Sequence, residues 1–234
     1  MSSRLEYRII GETLETLEIR LAPGQAVMAE TGALLYMGEG IDMRTNISGG
    51  LWQGIKRKMS GENYFVTSYV NTSRDYATLG VASYYPGKIQ EIDLKLYGNV
   101  FYCQSRCFLC AESNIDISIG FVKKIGAGIF AGSGFILQKL SGESQVFVHA
   151  GGSVIAKELL PGETLRVDTG CLLGFSKTID YDISMVTGVL NPIFGGEGIF
   201  FAKLTGPGTV LLQSLPFSRL AENIGVAMAA LAKK

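Results

Sequence analysis

Cys103, Cys107 and Cys110 stand in the order C-x3-C-x2-C. Radical enzymes use that spacing to hold a four-iron cluster on three thiolates. Strand periodicity argues against it here, because residues 103 and 107 would share one face of a strand and residue 110 would take the other. Cys107 also corresponds to Cys171 and Ala33 in the internal alignment below, which reads as a small core position. The alternating strands and helices of the barrel such enzymes use are missing from the pattern. Gly195, Gly196 and Glu197 are similar to a cofactor motif of those enzymes, but they sit inside a repeated stretch. Buried free thiols are the expectation, and no metal or cofactor is assigned. A cysteine-based iron–sulfur enzyme is the disfavoured alternative.

Other chemistry-bearing residues give weaker signals. The run GAGIFAGSG, from Gly126 to Gly134, is glycine-rich like a phosphate cradle. Such a loop needs a helix after it, so that free N–H groups face the anion. FILQKLSG follows instead, and the sister stretch NPIFGGEG places Glu197 where it would repel phosphate. A turn or bulge is expected, with Phe130 and Phe194 offering apolar contact. His149 is the one histidine in the chain, so a site drawing on two or three imidazoles is excluded. No residue is marked as a nucleophile, and no catalytic residue is assigned.

Lys58, Lys139 and Lys203 recur once per repeat, as do Asp42, Asp116 and Asp180. They read as solvated strand faces or local ion pairs of small worth. The sharper reading is a ring of ammonium groups that attracts an anion, since like charges held close repel one another without a ligand. GGLWQGIKRKMSG, from Gly49, sets Lys56, Arg57 and Lys58 beside Trp52. It is read as a solvated loop, with contact to anionic lipid or RNA as the alternative.

The elements that must position these residues are strands. Ile92, Leu94 and Leu96 alternate with Glu91, Asp93 and Lys95, and Ile115, Ile117 and Ile119 alternate with Asp116 and Ser118. That alternation gives one buried and one wet face. IFAGSGFILQKLSGE, from Ile129, returns as IFGGEGIFFAKLTGP from Ile193, an offset of 64 that also relates Cys107, Leu109, Ile115 and Asp116 to Cys171, Leu173, Ile179 and Asp180. A third copy lies upstream: Leu35, Ile41 and Asp42 precede Leu109, Ile115 and Asp116 by 74. Lys58, Met59, Ser60 and Gly61 precede Lys139, Leu140, Ser141 and Gly142 by 81, which makes the first copy seven residues shorter there and aligns His149 with Ser68 and Gln213. PGQAVMAETGALL from Pro23 matches PGETLRVDTGCLL from Pro161, whereas the second copy offers only PGKIQEIDL from Pro86.

The fold class is therefore all-β, in three repeats with pseudo-threefold symmetry, residues 1–80, 81–150 and 151–215, followed by a C-terminal amphipathic helix over 216–234. Phe217, Leu220, Ile224, Ala227, Met228 and Leu231 fall at helical spacing, with Ser218 as candidate N-cap. A helix packed on the sheets is the plain expectation; docking to a partner or a membrane is the alternative.

Bulk properties narrow the function. Lysine plus arginine and aspartate plus glutamate both number 21, so the basic excess typical of nucleic-acid binders is missing. Hydrophobic residues make up 47% of the chain and mean hydropathy is +0.25. The longest uncharged run, Leu204 to Ser218, is broken by Gly206, Pro207, Gly208 and Pro216. MSSRLEYRIIGE lacks the apolar core of a secretory signal, so a cytoplasmic protein with reduced thiols is expected. The apolar excess points to a homo-oligomer, or to a peripheral membrane or protein partner.

The threefold framework, PGQAVMAETGALL, GGLWQGIKRKMSGENYF and the closing LTGPGTVLLQS resemble the altered-inheritance-of-mitochondria 24 (mitochondrial biogenesis) family over nearly the whole chain. The resemblance implies three modules similar to the trp RNA-binding attenuation protein, a small fold related to double-stranded β-helices. It brings no catalytic residues and no cofactor. Mitochondrial members are linked to inner-membrane organisation; this chain lacks an Arg-rich transit segment. A non-enzymatic β-repeat scaffold acting through its apolar loops and C-terminal helix is the leading expectation, and an RNA-binding module the second.

Overall fold

The computed structural model describes residues 4–44, 66–123, 135–185 and 200–232. Antiparallel strands fill it, as the alternation predicts, and one helix closes it. A leading strand, β1 (Glu6–Ile10), precedes eighteen others that fall into three sets of six among the described residues. The first set is β2 (Thr16–Leu21), β3 (Ala26–Glu30), β4 (Leu34–Met37), β5 (Ile41–Arg44), β6 (Val66–Asn71) and β7 (Ala77–Ala82). The second is β8 (Gly87–Asp93), β9 (Val100–Gln104), β10 (Phe108–Glu112), β11 (Asp116–Lys123), β12 (Phe135–Ser141) and β13 (Gln145–Gly151). The third is β14 (Val154–Leu159), β15 (Thr164–Asp168), β16 (Leu172–Ser176), β17 (Asp180–Met185), β18 (Phe200–Thr205) and β19 (Gly208–Gln213), after which comes α1 (Phe217–Leu231).

One pairing scheme serves all three sets. The first strand pairs with the sixth and the sixth with the third: β2–β7–β4, β8–β13–β10 and β14–β19–β16. The second pairs with the fifth and the fifth with the fourth: β3–β6–β5, β9–β12–β11 and β15–β18–β17. Irregularities agree too. The third strand shifts register between Leu34 and Tyr36, between Phe108 and Cys110, and between Leu172 and Gly174. Ile41, Ile115 and Ile179 each enter the fourth strand by donating a backbone N–H to the carbonyl of Gly38, Glu112 or Ser176. All three isoleucines are buried.

Strand register corrects the sequence alignment. Tyr69, Leu140 and Leu204 hold the same place, opposite Val27 and Met43, Phe101 and Ile117, and Leu165 and Tyr181. Ser68 therefore stands where Lys139 and Lys203 stand. It precedes Lys139 by 71 residues, so the first set is three residues longer here and not seven shorter. The Lys-Met-Ser-Gly run that guided the alignment matched a short motif, whereas register is fixed by which side chains reach the core. By the same pairing His149 corresponds to Ala82 and Gln213, not to Ser68. The second set's PGKIQEIDL, from Pro86, stands in a different spacing from the Pro-Gly turns of the other two. The true counterpart of those turns is Tyr97-Gly98, where Gly98 has φ 62 beside 75 at Gly24 and 79 at Gly162. A residue without Cβ takes that conformation at little cost.

Sheets are shared between neighbouring sets. β3 pairs with β10, and β9 with β16, which produces two six-stranded sheets, β5-β6-β3-β10-β13-β8 and β11-β12-β9-β16-β19-β14. The remaining strands form a four-stranded sheet, β1-β2-β7-β4, and a three-stranded one, β15-β18-β17. Each join mixes side chains of two sets into one core. Leu109, Cys110 and Phe147 pack with Leu17, Val27 and Leu79; Leu173 and Leu211 pack with Phe101 and Val148.

Candidate functional site

The three cysteines do not share a site. Cys103 and Cys107 lie in one core with Phe101 and Leu173, while Cys110 lies in the other with Leu109 and Phe147. Each is at most 1% exposed. Burial pushes all three thiols up, Cys107 to about 12, with the nearby Glu30 charge adding to the effect and a hydrogen bond from Gln213 opposing it. Cys103 Sγ donates weakly to Gln138 Oε1 at 3.8 Å. A thiolate is the form that attacks or binds metal, and these surroundings disfavour it. Cys171, half-buried, is raised less far, again by burial first. Among the described residues no three of His, Cys, Asp or Glu gather so as to hold a metal ion.

His149 sits on β13 at 2% exposure. Its ring meets Tyr85 edge-on at 4.6 Å, and its Nδ1 is buried without a hydrogen-bond partner. Burial lowers its pKa to about 4, against a small opposing pull from Glu15. The imidazole is thus neutral near pH 7, a core filler beside the seam with the next set, where Gln213 of that set donates to Gln104 across the seam and to the Gly170 carbonyl within its own set. Glu30, at the end of β3, is pushed up to about 7 by burial, with Arg106 opposing.

Other charged side chains are matched internally. Glu91 accepts from Arg4 at 2.7 Å, from Tyr7 and from Gln145 at 2.6 Å. Burial raises its pKa, but these donors outweigh that and hold the carboxyl below its usual range. The knot fastens the leading strand to β8. Glu15 takes Lys88 Nζ at 2.7 Å and the Ile89 N–H at 2.6 Å. They line an open groove of about 500 Å³ with Ile9, Gly11, Gln90 and Val154. The two opposite charges there satisfy each other, so the groove presents no unpaired ion to a ligand.

Of the expected contact residues, Lys58, Trp52, Phe130 and Phe194 lie outside the described residues. Lys139 is half-buried on β12, and Lys203 is exposed on β18 of a different sheet. With Ser68 in the third position, the described strands supply two lysines and a serine rather than three ammonium groups.

The surface feature that stands out is α1. It begins at Phe217 with Pro216 as N-cap and no side-chain cap, so Ser218 is not the cap the sequence suggested. Only its first turn is held: Phe217 meets Tyr85 at 5.2 Å, and Arg219 donates to Asp168 at 2.8 Å. From Ala221 onward every described residue is exposed, so the helix is not packed on the sheets. Ile224, Met228 and Leu231 continue the Leu220 face at 52%, 65% and 71% exposure. Fully burying such a side chain is worth about 1.5–3 kcal/mol, and a helix of this length is marginal by itself in water. Sequence spacing showed the apolar face; what covers it is a tertiary fact that spacing does not contain.

Comparison with known proteins places the whole architecture. The family model described as Mitochondrial biogenesis AIM24 matches residues 7–215. An uncharacterised protein of Streptococcus pyogenes serotype M6 is 28% identical over 213 residues, 88% of this chain and 83% of that one. An X-ray crystal structure of a Streptococcus pyogenes protein superposes with a TM-score of 0.76 at 25% identity, covering 96% of this chain and 100% of the other.

Proposed function

The chain belongs to the Mitochondrial biogenesis AIM24 family, and from that premise we propose that it is a non-enzymatic, cytoplasmic scaffold that works by surface contact. Its body is three β units, β2–β7, β8–β13 and β14–β19, and its docking element is α1 (Phe217–Leu231). The observation that carries this reading is the bare apolar face of α1 on a body whose buried thiols and imidazole are held in unreactive forms. An amphipathic helix of this kind settles at a lipid surface by burying that face, and basic residues beside it strengthen the attraction to anionic headgroups. Lys233 and Lys234 follow α1 in the sequence. Among the described residues no helix is long and apolar enough to cross a membrane, and the contact proposed is a peripheral one. The glycine-rich apolar stretches lie between the fourth and fifth strands of the second and third units in the sequence, outside the described residues.

Flotation with vesicles containing anionic lipid tests the proposal. The intact chain is expected to rise with the vesicles, and Ile224→Glu with Met228→Glu to remain below. An intact chain that stays at the bottom removes the lipid surface as the partner.

A further inference from the structure

Neighbouring units are joined inside the chain by one device, used twice. The second strand of one unit pairs antiparallel with the third strand of the next. In β3–β10 the partners are Ala29↔Cys110, Met28↔Ala111 and Val27↔Glu112. In β9–β16 they are Cys103↔Gly174, Tyr102↔Phe175 and Phe101↔Ser176. Every residue of β10 and of β16 is buried as a result. A cyclic arrangement of three units would need a third join, β15 to β4. Among the described residues both are edge strands instead: β15 ends the three-stranded sheet and β4 ends the four-stranded one.

The two bare edges carry the matching halves of that join. Leu35 and Met37 are 57% and 44% exposed, where their counterparts in β10 and β16 are Leu109 and Ala111, and Leu173 and Phe175, all buried. An exposed apolar edge strand is a ready template for another chain. We infer that β15 of one copy pairs with β4 of the next, antiparallel, in the register Val167↔Tyr36, Arg166↔Met37 and Leu165↔Gly38. The occupant is a second copy of this chain, because each edge already matches the other in direction, position and register. The new sheet would be β1-β2-β7-β4 continued by the neighbour's β15-β18-β17, the same order as the two internal sheets with β1 added. The contact is heterologous, so copies add head to tail and form a ring where the rotation closes and a filament where it does not. α1 leaves the body beside this edge, through Arg219 on Asp168, and is carried to the junction. The inference does not depend on what α1 binds.

Cross-linking between copies tests it. Residues directly opposite on antiparallel strands have Cα atoms about 4.5–5.5 Å apart, within the range of a disulfide. Two single variants, Met37→Cys and Arg166→Cys, are mixed and oxidised. Cross-linked pairs are expected in the mixture and not in either variant alone. Light scattering of the unmodified chain is expected to give a multiple of the chain mass. Leu35→Lys is expected to reduce it to one chain while leaving the circular dichroism of the fold unchanged. Cross-linking within one variant alone, a single-chain mass at every concentration, or a mass unaffected by Leu35→Lys overturns the proposal; the last points to α1 as the contact between copies.

Discussion

β10 and β4 occupy the same place in their units, yet every residue of β10 is buried whereas three of the four in β4 are exposed. Local sequence does not account for the difference. LLYM is apolar and FLCAE is apolar but for Glu112, which is buried all the same, and both strands pair with the sixth strand of their own unit across a register shift at the same point. What differs is the other edge, which β3 covers in one case and nothing described covers in the other. Burial of a strand in this fold is thus decided by the neighbouring unit, and the first and last units each lack one neighbour.

The largest expected effect sets the equivalent leucines against each other. Leu109→Ala and Leu173→Ala, at fully buried positions, should each cost about 2–5 kcal/mol in urea unfolding. Leu35→Ala should cost the isolated chain less than about 0.5 kcal/mol, as exposed positions do. Equal losses at all three would break the comparison.

A second substitution probes an internal join. A Cβ on Gly174 would lie 2.5 Å from the Tyr102 carbonyl of the strand across the join and 2.6 Å from the Phe101 ring. Gly174→Ala should therefore destabilise by about 1–3 kcal/mol. Tyr36 holds the same place on the bare strand, and its ring lies over Gly80. Tyr36→Ala, which removes that contact and the hydroxyl's bond to Glu18 at an exposed position, should cost the monomer less than Gly174→Ala does, about 0.5–1 kcal/mol.

The seam gives a pH signature. His149 has its pKa lowered from 6.5 to about 4, chiefly by burial. The unfolded chain therefore binds the extra proton first, and stability contributed by the neutral imidazole is lost as pH falls through 6.5 toward 4. His149→Gln, which installs the residue of the equivalent position 213, should abolish that loss, a difference on the order of 1–3 kcal/mol near pH 4. Glu30 works in the opposite sense. Its pKa is raised from 4.5 to about 7, chiefly by burial, so the folded state holds the proton longer and stability declines as pH rises through that window. In His149→Gln the decline from Glu30 should stand alone in a plot of unfolding midpoint against pH.

Thiol accessibility supplies the smallest effect. Cys171 is the half-buried cysteine and should react first with a thiol reagent. Cys103, Cys107 and Cys110 should react only as the chain unfolds, since burial holds their thiols protonated. Labelling Cys171 should leave the unfolding midpoint within about 0.5 kcal/mol.

Much of this architecture was legible in the residues. Alternation at Ile115, Ile117 and Ile119 marks a strand, and the offset of 64 between Leu109 and Leu173 relates two positions that sit at the same register shift of the third strand. Register in the first unit was not legible, because the connection between β5 and β6 differs in length from its counterparts. A four-residue match at Lys58 then outweighed the single Tyr69 that the core selects. Gly98 was overlooked because its partner is Tyr97 rather than proline, although the backbone requirement is the same. Joins between units were invisible for a deeper reason: β3 meets β10 across some eighty residues of chain, and no local pattern encodes that meeting. The half-buried knot on Glu91 and the exposure of α1 are likewise products of tertiary neighbours.

Hydrogen exchange at the Leu34–Met37 amides measures the state of the bare edge most directly. The amides of this strand that point away from β7 are expected to be protected at high protein concentration, to lose protection on dilution, and to lack it in Leu35→Lys, while those bonded to β7 stay protected throughout. Rapid exchange of the outward amides at every concentration, with Phe108–Glu112 still protected, would contradict the account.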